Sequence, residues 1–96
     1  MNNDKLILQI SALDKNILLA DGFNDAVIGI TYRDDELVAL YSKDKIIQIL
    51  IHEQGMTFED AVEYFDYNIE GSYVGKKTPV YYSFYFEDEE SPDEWY

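Results

Sequence analysis

The most regular helical pattern of apolar and polar positions lies between Gly55 and Pro79. Apolar side chains recur there every three or four residues, which predicts an amphipathic helix with one buried stripe. Thr57 precedes the stripe as a typical N-cap, and Asp60 three residues later completes a capping-box-like pattern. Gly71 follows it, where a left-handed residue commonly ends a helix. The stripe consists of Phe58, Ala61, Val62, Phe65 and Ile69.

A second helical pattern near the N-terminus becomes less regular toward its end. Asp4 stands at the N-cap position of this pattern. The crowded apolar run at 17–19 predicts that the second half, up to Ala20, is irregular or extended, and Gly22 ends it. We therefore expect a helix over the first part of the segment only. Steps of four, three and four residues separate Leu6, Ile10, Leu13 and Ile17.

Alternating residues predict a β-hairpin in the middle of the chain. The segment from Ala26 to Arg33 alternates as a strand does, and residues 37–41 predict a second strand. The acidic run 34–36 between them is typical of a turn. Gly29 inside the first strand suggests a close approach by another part of the chain. The predicted faces are Ile28, Ile30 and Tyr32 on one side and Val27 and Thr31 on the other.

One more helix and one more strand complete the pattern. The segment from Lys45 to Gln54 is predicted to be a short helix, capped by Ser42 or Asp44 and stopped by Gly55. After a loop, the segment 80–86 alternates as a third strand with aromatic side chains on both faces.

These elements together predict an α+β fold. We expect one domain over residues 1–86, with a small three-stranded antiparallel sheet and helices packed on one of its faces. Residues 87–96 are predicted to form an acidic C-terminal tail that ends in two aromatic residues. A length of 96 residues fits one such domain with a modest core.

Composition narrows the partners that this domain could have. Seven basic and twenty acidic residues give a net charge of −13, so bare nucleic acid and anionic membranes would be repelled. No apolar run approaches the length of a membrane span. The chain has no cysteine, which excludes disulfides and thiolate metal sites and fits the cytosol. A basic protein surface is the favoured partner, and the basic surface of a nucleic-acid-binding protein is one such surface.

The helix after Thr57 carries an acidic face. Carboxylates at three- and four-residue spacing lie together on it, and no Lys or Arg within the helix balances them. One interpretation is an ordinary solvated face. The other is a surface shaped to meet positive charge, with the acidic tail as a possible second contact. The predicted partner-binding residues are Glu59, Glu63, Tyr64, Asp66, Tyr67 and Glu70 on the helix and Glu87, Asp88, Glu89 and Trp95 in the tail.

A glycine-bracketed basic segment from Gly71 to Thr78 has some features of a phosphate-binding P-loop. Only three residues separate Gly71 from Gly75, where a P-loop has four, and Lys77 intrudes before the threonine. The segment also follows a helix and precedes a strand, which is the reverse of the P-loop order. The pattern therefore favours a turn with a basic tip.

Metal-binding and catalytic patterns are also incomplete. The run 66–71 resembles the start of a calcium loop, but its twelfth position, which must supply a bidentate carboxylate, is Lys77. His52 is the only histidine and falls on the polar face of its helix with Lys45 and Gln48. No serine motif accompanies it. We predict no catalytic residue, no metal site and no cofactor, and we expect that the protein is not an enzyme.

Several blocks of sequence occur in a characteristic order. They are DGFNDAVIGI from Asp21 to Ile30, ALYS from Ala39 to Ser42, KIIQIL from Lys45 to Leu50, GMT from Gly55 to Thr57 and NIEGSYVGKKTP from Asn68 to Pro79. This order resembles a family of small, uncharacterised proteins encoded mainly by tailed bacteriophages and prophages. The resemblance spans about residues 19–80 and implies a phage-borne accessory protein in the bacterial cytoplasm. It supplies no established catalytic residue, and this chain departs from the family after Pro79.

The role of four residues in these blocks can be interpreted in two ways. In the first, Asp21, Asp25, Asn68 and Tyr73 only shape turns, as aspartate and asparagine often do. In the second, the four converge on one pocket or contact surface.

The sequence therefore favours an interaction protein. The leading hypothesis is an inhibitor of a host nucleic-acid-binding or defence protein that acts through negative charge resembling that of nucleic acid. The alternative is a structural or regulatory phage module that binds a protein partner through its aromatic strand edge.

Overall fold

The computed structural model describes residues 3–83 of the chain. Helices and a three-stranded sheet form an α+β arrangement there, which confirms the predicted fold class. The predicted tail lies outside the described residues, as does the third strand beyond Ser83. No helix in the described part is long and apolar enough to cross a membrane. The elements are α1 (Asp4–Leu13), a 3₁₀ helix (Asn24–Ala26), β1 (Val27–Arg33), β2 (Glu36–Ser42), α2 (Lys43–Gln54), α3 (Phe58–Tyr64), a π-helix (Phe65–Glu70) and β3 (Val80–Tyr82).

The predicted hairpin is confirmed. Strands β1 and β2 are antiparallel, with Arg33 opposite Glu36 at the closed end. Asp34 and Asp35 both have positive φ, 52° and 71°. Two central residues of this kind form a type I′ turn, whose twist matches that of the two strands. Aspartate tolerates the left-handed region better than most residues, so the acidic run specifies the turn.

The third strand runs in the direction opposite to the one predicted. Strand β3 pairs with β2 in parallel, with Leu40 beside Val80 and Ser42 beside Tyr82. The sheet is therefore mixed, in the order β1-β2-β3, and the expectation of a purely antiparallel sheet is wrong. The long helical connection between the two strands allows this, because a crossover can carry the chain from the end of β2 back along the sheet, so that β3 begins beside Leu40 and runs in the same direction as β2.

A β-bulge changes which side of β1 faces the core. Val27 is opposite Tyr41 and Gly29 is opposite Leu40, so Ile28 is the additional residue. Val27 is buried and Ile30 packs on the core, whereas Ile28 is 40% exposed. The predicted face that placed Ile28 with Ile30 is therefore wrong.

The reason for glycine in β1 also differs from the prediction. A Cβ atom at Gly29 would meet nothing within 4 Å, so no neighbouring segment approaches closely. Its φ of 157° lies where other residues are rarely found. Gly29 therefore serves the backbone conformation of the bulge.

Different kinds of hydrogen bond hold the starts of α1 and α2. The Ser42 hydroxyl accepts from the backbone N–H of Lys45 at 3.1 Å, and Gly55 ends α2 with a φ of 73°, as predicted. At α1 the N-cap position belongs to Asn3, so the assignment of Asp4 as N-cap is wrong. The Asn3 amide instead donates to the Val27 carbonyl at 2.9 Å and joins the start of α1 to β1.

The predicted amphipathic helix forms, but its hydrogen-bonding pattern changes from α-helical to π-helical halfway along. Thr57 caps α3 by accepting from the Asp60 N–H at 3.1 Å. After Tyr64 the helix continues as a π-helix. Gly71 has a φ of −75°, so the left-handed ending predicted for it is wrong. A Cβ there would lie 3.1 Å from the Asp66 carbonyl oxygen, a tight contact that the backbone would have to relieve by a small shift.

The core lies where this helix and α2 meet the sheet. The predicted stripe is confirmed, because Ala61, Phe65 and Ile69 are buried and Phe58 and Val62 pack against the same cluster. The Phe65 ring meets the Tyr81 ring edge to face, with 5.4 Å between their centroids. Leu50 belongs to the same cluster and Ile30 packs against it, whereas Ile28 does not.

Candidate functional site

The four carboxylates of the predicted acidic face are all exposed. Glu59 and Glu63 lie on α3, and Asp66 and Glu70 lie on the π-helix. A π-helix has more residues per turn than an α-helix, so the row does not keep one spacing along its length. Within residues 3–83 the ion pairs join Lys77 to Asp14 and to Glu36, and none involves this row. The face therefore presents uncompensated negative charge.

Two tyrosines accompany the acidic face, as the sequence predicts. The Tyr67 side chain is 76% exposed, and Tyr64 is 41% exposed and lines the neighbouring cavity. The remaining predicted partner-binding residues, Glu87, Asp88, Glu89 and Trp95, lie outside the described residues.

A cavity of about 510 Å³ opens beside the π-helix. Its walls come from three separated parts of the chain: the segment after α1, the π-helix and the loop that leads into β3. This volume is within the roughly 300–1,000 Å³ typical of ligand pockets. The apolar part of the lining includes Leu18, Leu19, Phe23, Ile69, Val74 and Pro79.

Polar groups of the cavity carry no positive charge. The polar lining consists of the Asp21 carboxylate, the Asn68 amide, the Ser72 hydroxyl and the phenols of Tyr64 and Tyr81. Among residues 3–83, no Lys or Arg lines the cavity. Burial raises the pKa of Tyr81, and the nearby carboxylate of Glu70 raises it further. The site therefore combines apolar walls with hydrogen-bonding groups and negative charge.

The predicted convergence of Asp21, Asp25, Asn68 and Tyr73 is only partly found. Asp21 and Asn68 line the same cavity although 47 positions separate them in the sequence. Asp25 lines a different depression, together with His52. Tyr73 is 74% exposed and does not line either space.

One wall of the cavity is a loop held by its own threonine. The Thr78 hydroxyl accepts from the Val74 N–H at 2.9 Å and donates to the Gly75 carbonyl at 2.6 Å. Gly75 has a φ of 110°, which an L side chain rarely adopts. These bonds fix Val74 and Pro79 at the two sides of one turn.

Lys77 anchors this loop, which corrects the prediction of a basic tip. Its ammonium donates to the Asp14 carboxylate at 2.8 Å and to the Leu37 carbonyl at 3.0 Å. The hydrogen bond from Lys77 lowers the pKa of Asp14, and the same bond raises the pKa of Lys77. Of the two lysines in the loop, only Lys76 has an exposed side chain.

Tyr41 supports the cavity from below. Its hydroxyl accepts from the backbone N–H of Ala20 at 2.7 Å, which holds the segment that forms the first wall. Its ring lies 5.5 Å from that of Tyr81 between centroids. Burial raises the pKa of Tyr41 to about 12, and the nearby Asp21 carboxylate adds to the shift.

A smaller depression lies beside His52. It measures about 200 Å³ and is lined by Asp25 and by α2 residues Lys45, Gln48, Ile49, His52 and Glu53. Among residues 3–83, no three His, Cys, Asp or Glu side chains are placed to hold a metal ion.

Sequence reasoning missed most of the cavity. Leu18 and Phe23 lie in a segment without regular structure, and Tyr81 was treated only as part of a strand. The usable signal was the run at 17–19, because three consecutive apolar residues cannot all face one side of a helix. The run places Leu18 and Leu19 in the cavity wall.

Comparison with protein-family models, with curated proteins and with solved structures finds no match. The resemblance to a phage protein family therefore stays a prediction from sequence blocks. The acidic face and the cavity beside it are the two surface features of the described chain that suggest a function.

Proposed function

We propose that this protein is a binding protein, without enzymatic activity, that attaches to a basic protein surface through the acidic face of α3 and the π-helix. The observation that carries the proposal is the separation of charge along the chain. No Lys or Arg occurs between Lys45 and Lys76. On α3 and the π-helix, within that interval, five carboxylates occur: Glu59, Asp60, Glu63, Asp66 and Glu70.

The acidic face sits on a well-supported element. Thr57 caps α3, and the buried Ala61 and Phe65 fix its inner side. Neighbouring turns place side chains roughly 5–6 Å apart at Cβ in the α-helical part. A surface that holds nucleic acid reads phosphates with Lys and Arg whatever the base sequence, so a competitor needs charge at suitable spacing and no base chemistry.

The partner class follows from this argument. We infer that the target is a protein whose basic groove normally holds DNA or RNA, and that this protein blocks the groove. The resemblance to phage proteins supports a host nuclease or defence complex in the bacterial cytoplasm as the target. Tyr64 and Tyr67 would add the amphipathic contact area that protein interfaces favour.

A second candidate is binding through a strand edge. Strands β1 and β3 are the outer strands of the described sheet. Tyr82 on β3 is 45% exposed, and Tyr32 on β1 is 72% exposed. A partner strand could add to either edge through backbone hydrogen bonds, with aromatic side chains giving specificity.

Two variants of equal net charge separate these candidates. Glu59→Lys combined with Glu63→Lys changes the proposed face. Asp25→Lys combined with Glu53→Lys changes two exposed carboxylates away from it. Each reversal adds two positive charges, so both variants move the net charge from −13 to −9. Circular dichroism and a thermal melt check that each variant folds.

The full chain and both variants are immobilised and exposed to nuclease-treated bacterial lysate. We expect a protein that the wild type and the control variant retain at low salt and the α3 variant does not. That protein should be released by about 500 mM salt, because exposed charges are strongly screened there. A short DNA duplex should displace it. Equal retention by all three chains, unaffected by salt, would favour the strand-edge candidate and overturn the proposal.

A further inference from the structure

The cavity beside the π-helix is an apolar surface that remains open to solvent. Leu18, Tyr64 and Val74 line it with 40%, 41% and 58% of their surface exposed. Exposed apolar side chains are common singly, but a contiguous group around a concave site marks an interaction surface. The Ala20–Tyr41 and Thr78–Val74 hydrogen bonds hold two of its walls in place.

The charge of the site selects the kind of occupant. Asp21 is in the lining, and Glu70 lies close enough to Tyr81 to act on its phenol. Lys77, which anchors the nearby loop, is already paired with Asp14 and Glu36. An occupant that brings its own positive charge would therefore complement the site. The tail 87–96 of this chain contains six carboxylates and has the opposite charge.

Arginine fits this lining better than lysine. Its planar guanidinium can stack on a tyrosine ring, and both Tyr64 and Tyr81 line the cavity. Its five donors can also reach several acceptors at once, which here are the Asp21 carboxylate, the Asn68 amide oxygen and the Ser72 hydroxyl. The apolar wall formed by Leu18, Leu19 and Val74 offers space for a neighbouring aliphatic side chain.

We propose that this cavity binds an arginine side chain and an adjacent apolar side chain from a segment of the basic protein partner. The inference rests on the proposed function and deepens it, because it adds a specific anchor to an interaction that the acidic face would otherwise direct by charge alone. Buried anchors of this kind carry most of the binding energy in protein interfaces, while surrounding charges mainly steer association.

The probe is an acetylated and amidated hexapeptide in which arginine and leucine alternate. It is titrated into the full-length, ¹⁵N-labelled protein, and backbone and side-chain amide shifts are followed. We expect saturable shifts at the Asn68 side chain and at the Ser72 and Val74 amides. The same peptide with citrulline in place of arginine keeps its shape and loses its charge, and it should bind at least tenfold more weakly.

Two variants change the cavity in different ways. Asp21→Lys reverses its charge, and Ser72→Trp fills its mouth from an exposed loop position. We expect each to weaken peptide binding at least tenfold. Asp25→Lys makes the same charge change four residues from Asp21 and outside this cavity, so it should stay within about twofold of the wild type. The amide spectrum of each variant shows whether it is folded.

The results separate this inference from the proposed function. Shifts confined to Glu59 and Glu63, equal affinity for the citrulline peptide, or no loss with Asp21→Lys would overturn the cavity site. So would shifts of the cavity amides on truncation after Phe86, because they would make the tail the occupant. If both cavity variants still retain the lysate partner but the α3 variant does not, the cavity inference fails and the acidic-face proposal stands. If the α3 variant retains that partner, the proposed function fails.

Discussion

The Lys77 ammonium lies 2.8 Å from the carboxylate of Asp14, which stands at the end of α1 and 63 positions earlier in the chain. The same ammonium lies 3.4 Å from Glu36 and donates to the Leu37 carbonyl. One side chain therefore joins the end of α1, the start of β2 and the loop before β3. Because two walls of the cavity extend from these segments, Lys77 helps to set their separation.

Replacement of this lysine tests that role. Lys77→Met should lower the melting temperature at neutral pH, because the Asp14 and Glu36 carboxylates and the Leu37 carbonyl lose their common partner. Lys76→Met is the matched control, since the Lys76 side chain is exposed. Equal melting temperatures for the two variants would remove Lys77 as an anchor.

The pH dependence of that difference has a defined sign. The pKa of Asp14 is lowered from 3.8 by the Lys77 hydrogen bond, so its contribution is present above pH 3.8 and is lost as the pH falls further. The pKa of Lys77 is raised from 10.5 by the same bond, so its contribution is present below pH 10.5 and is lost above it. We expect the stability gap between wild type and Lys77→Met to be widest between these limits and to close outside them. Melts over the full pH range provide the measurement.

Tyr41 gives a second prediction about pH. Tyr41→Phe leaves the Ala20 N–H without its acceptor and should cost about 1 kcal/mol at neutral pH. The pKa of Tyr41 is raised by burial from 10.0 to about 12, so its contribution is complete below pH 10 and is lost up to about pH 12. The gap between wild type and variant should therefore narrow over that interval in urea unfolding. Tyr73→Phe, at an exposed site, should show neither effect.

Phe65 tests the core beneath the acidic face. The side chain is fully buried, packs edge to face on Tyr81 and lies under the Lys43 ammonium, which is 5.2 Å from its ring centroid. Phe65→Ala should cost about 3–5 kcal/mol through lost burial and a residual cavity. Tyr67→Ala, two residues later and largely exposed, is the control and should change stability little. A similar loss in both variants in denaturant melts would contradict the assigned face.

Substitution of Gly55 tests how α2 ends before α3 begins. Its φ of 73° is left-handed, and a Cβ there would meet nothing, so backbone strain is the only expected penalty. Gly55→Ala should therefore destabilise by about 1 kcal/mol, whereas Gln54→Ala before it should be nearly neutral. Equilibrium unfolding of the two variants measures the difference, and no loss for Gly55→Ala would mean that the helix can end in another conformation.

Local chemistry made much of the fold predictable. The caps at Ser42 and Thr57, the stop at Gly55 and the turn at Asp34 and Asp35 each depend on a few neighbouring residues. The bulge at Ile28 was missed because Gly29, which a bulge also favours, was interpreted as a close approach by another segment. No side-chain cap marks the change to a π-helix after Tyr64. The parallel direction of β3 was missed because the path of the crossover decides it.

The same distinction between local and long-range features applies to the candidate site. The acidic face was predictable because Glu59 and Glu63 are one helical turn apart in a single element. The cavity was predicted only in part. Its lining residues Asp21, Asn68 and Tyr81 come from three separate parts of the chain, and only the fold brings them together. Lys77 was assigned to a basic tip because its partners, Asp14 and Glu36, lie far away in sequence.

Glu63 provides the last prediction, in which stability and binding should change in opposite directions. It lies four residues after Glu59, three after Asp60 and three before Asp66, so like charges surround it and each pair repels by a few tenths of a kcal/mol. Glu63→Gln should raise the free energy of unfolding by about 0.5 kcal/mol, and Glu63→Lys by roughly 1 kcal/mol, with both gains smaller at high salt.

The same two substitutions should weaken capture of the basic partner in the same order, because each removes charge from the surface that attracts it. If the face is only solvated, the two variants should gain stability but retain the basic partner as well as the wild type does. The paired measurement, thermal or urea unfolding beside retention from lysate, therefore distinguishes the two interpretations of one residue. Stability gained together with binding lost would mean that the carboxylates of α3 oppose folding and are there for the partner.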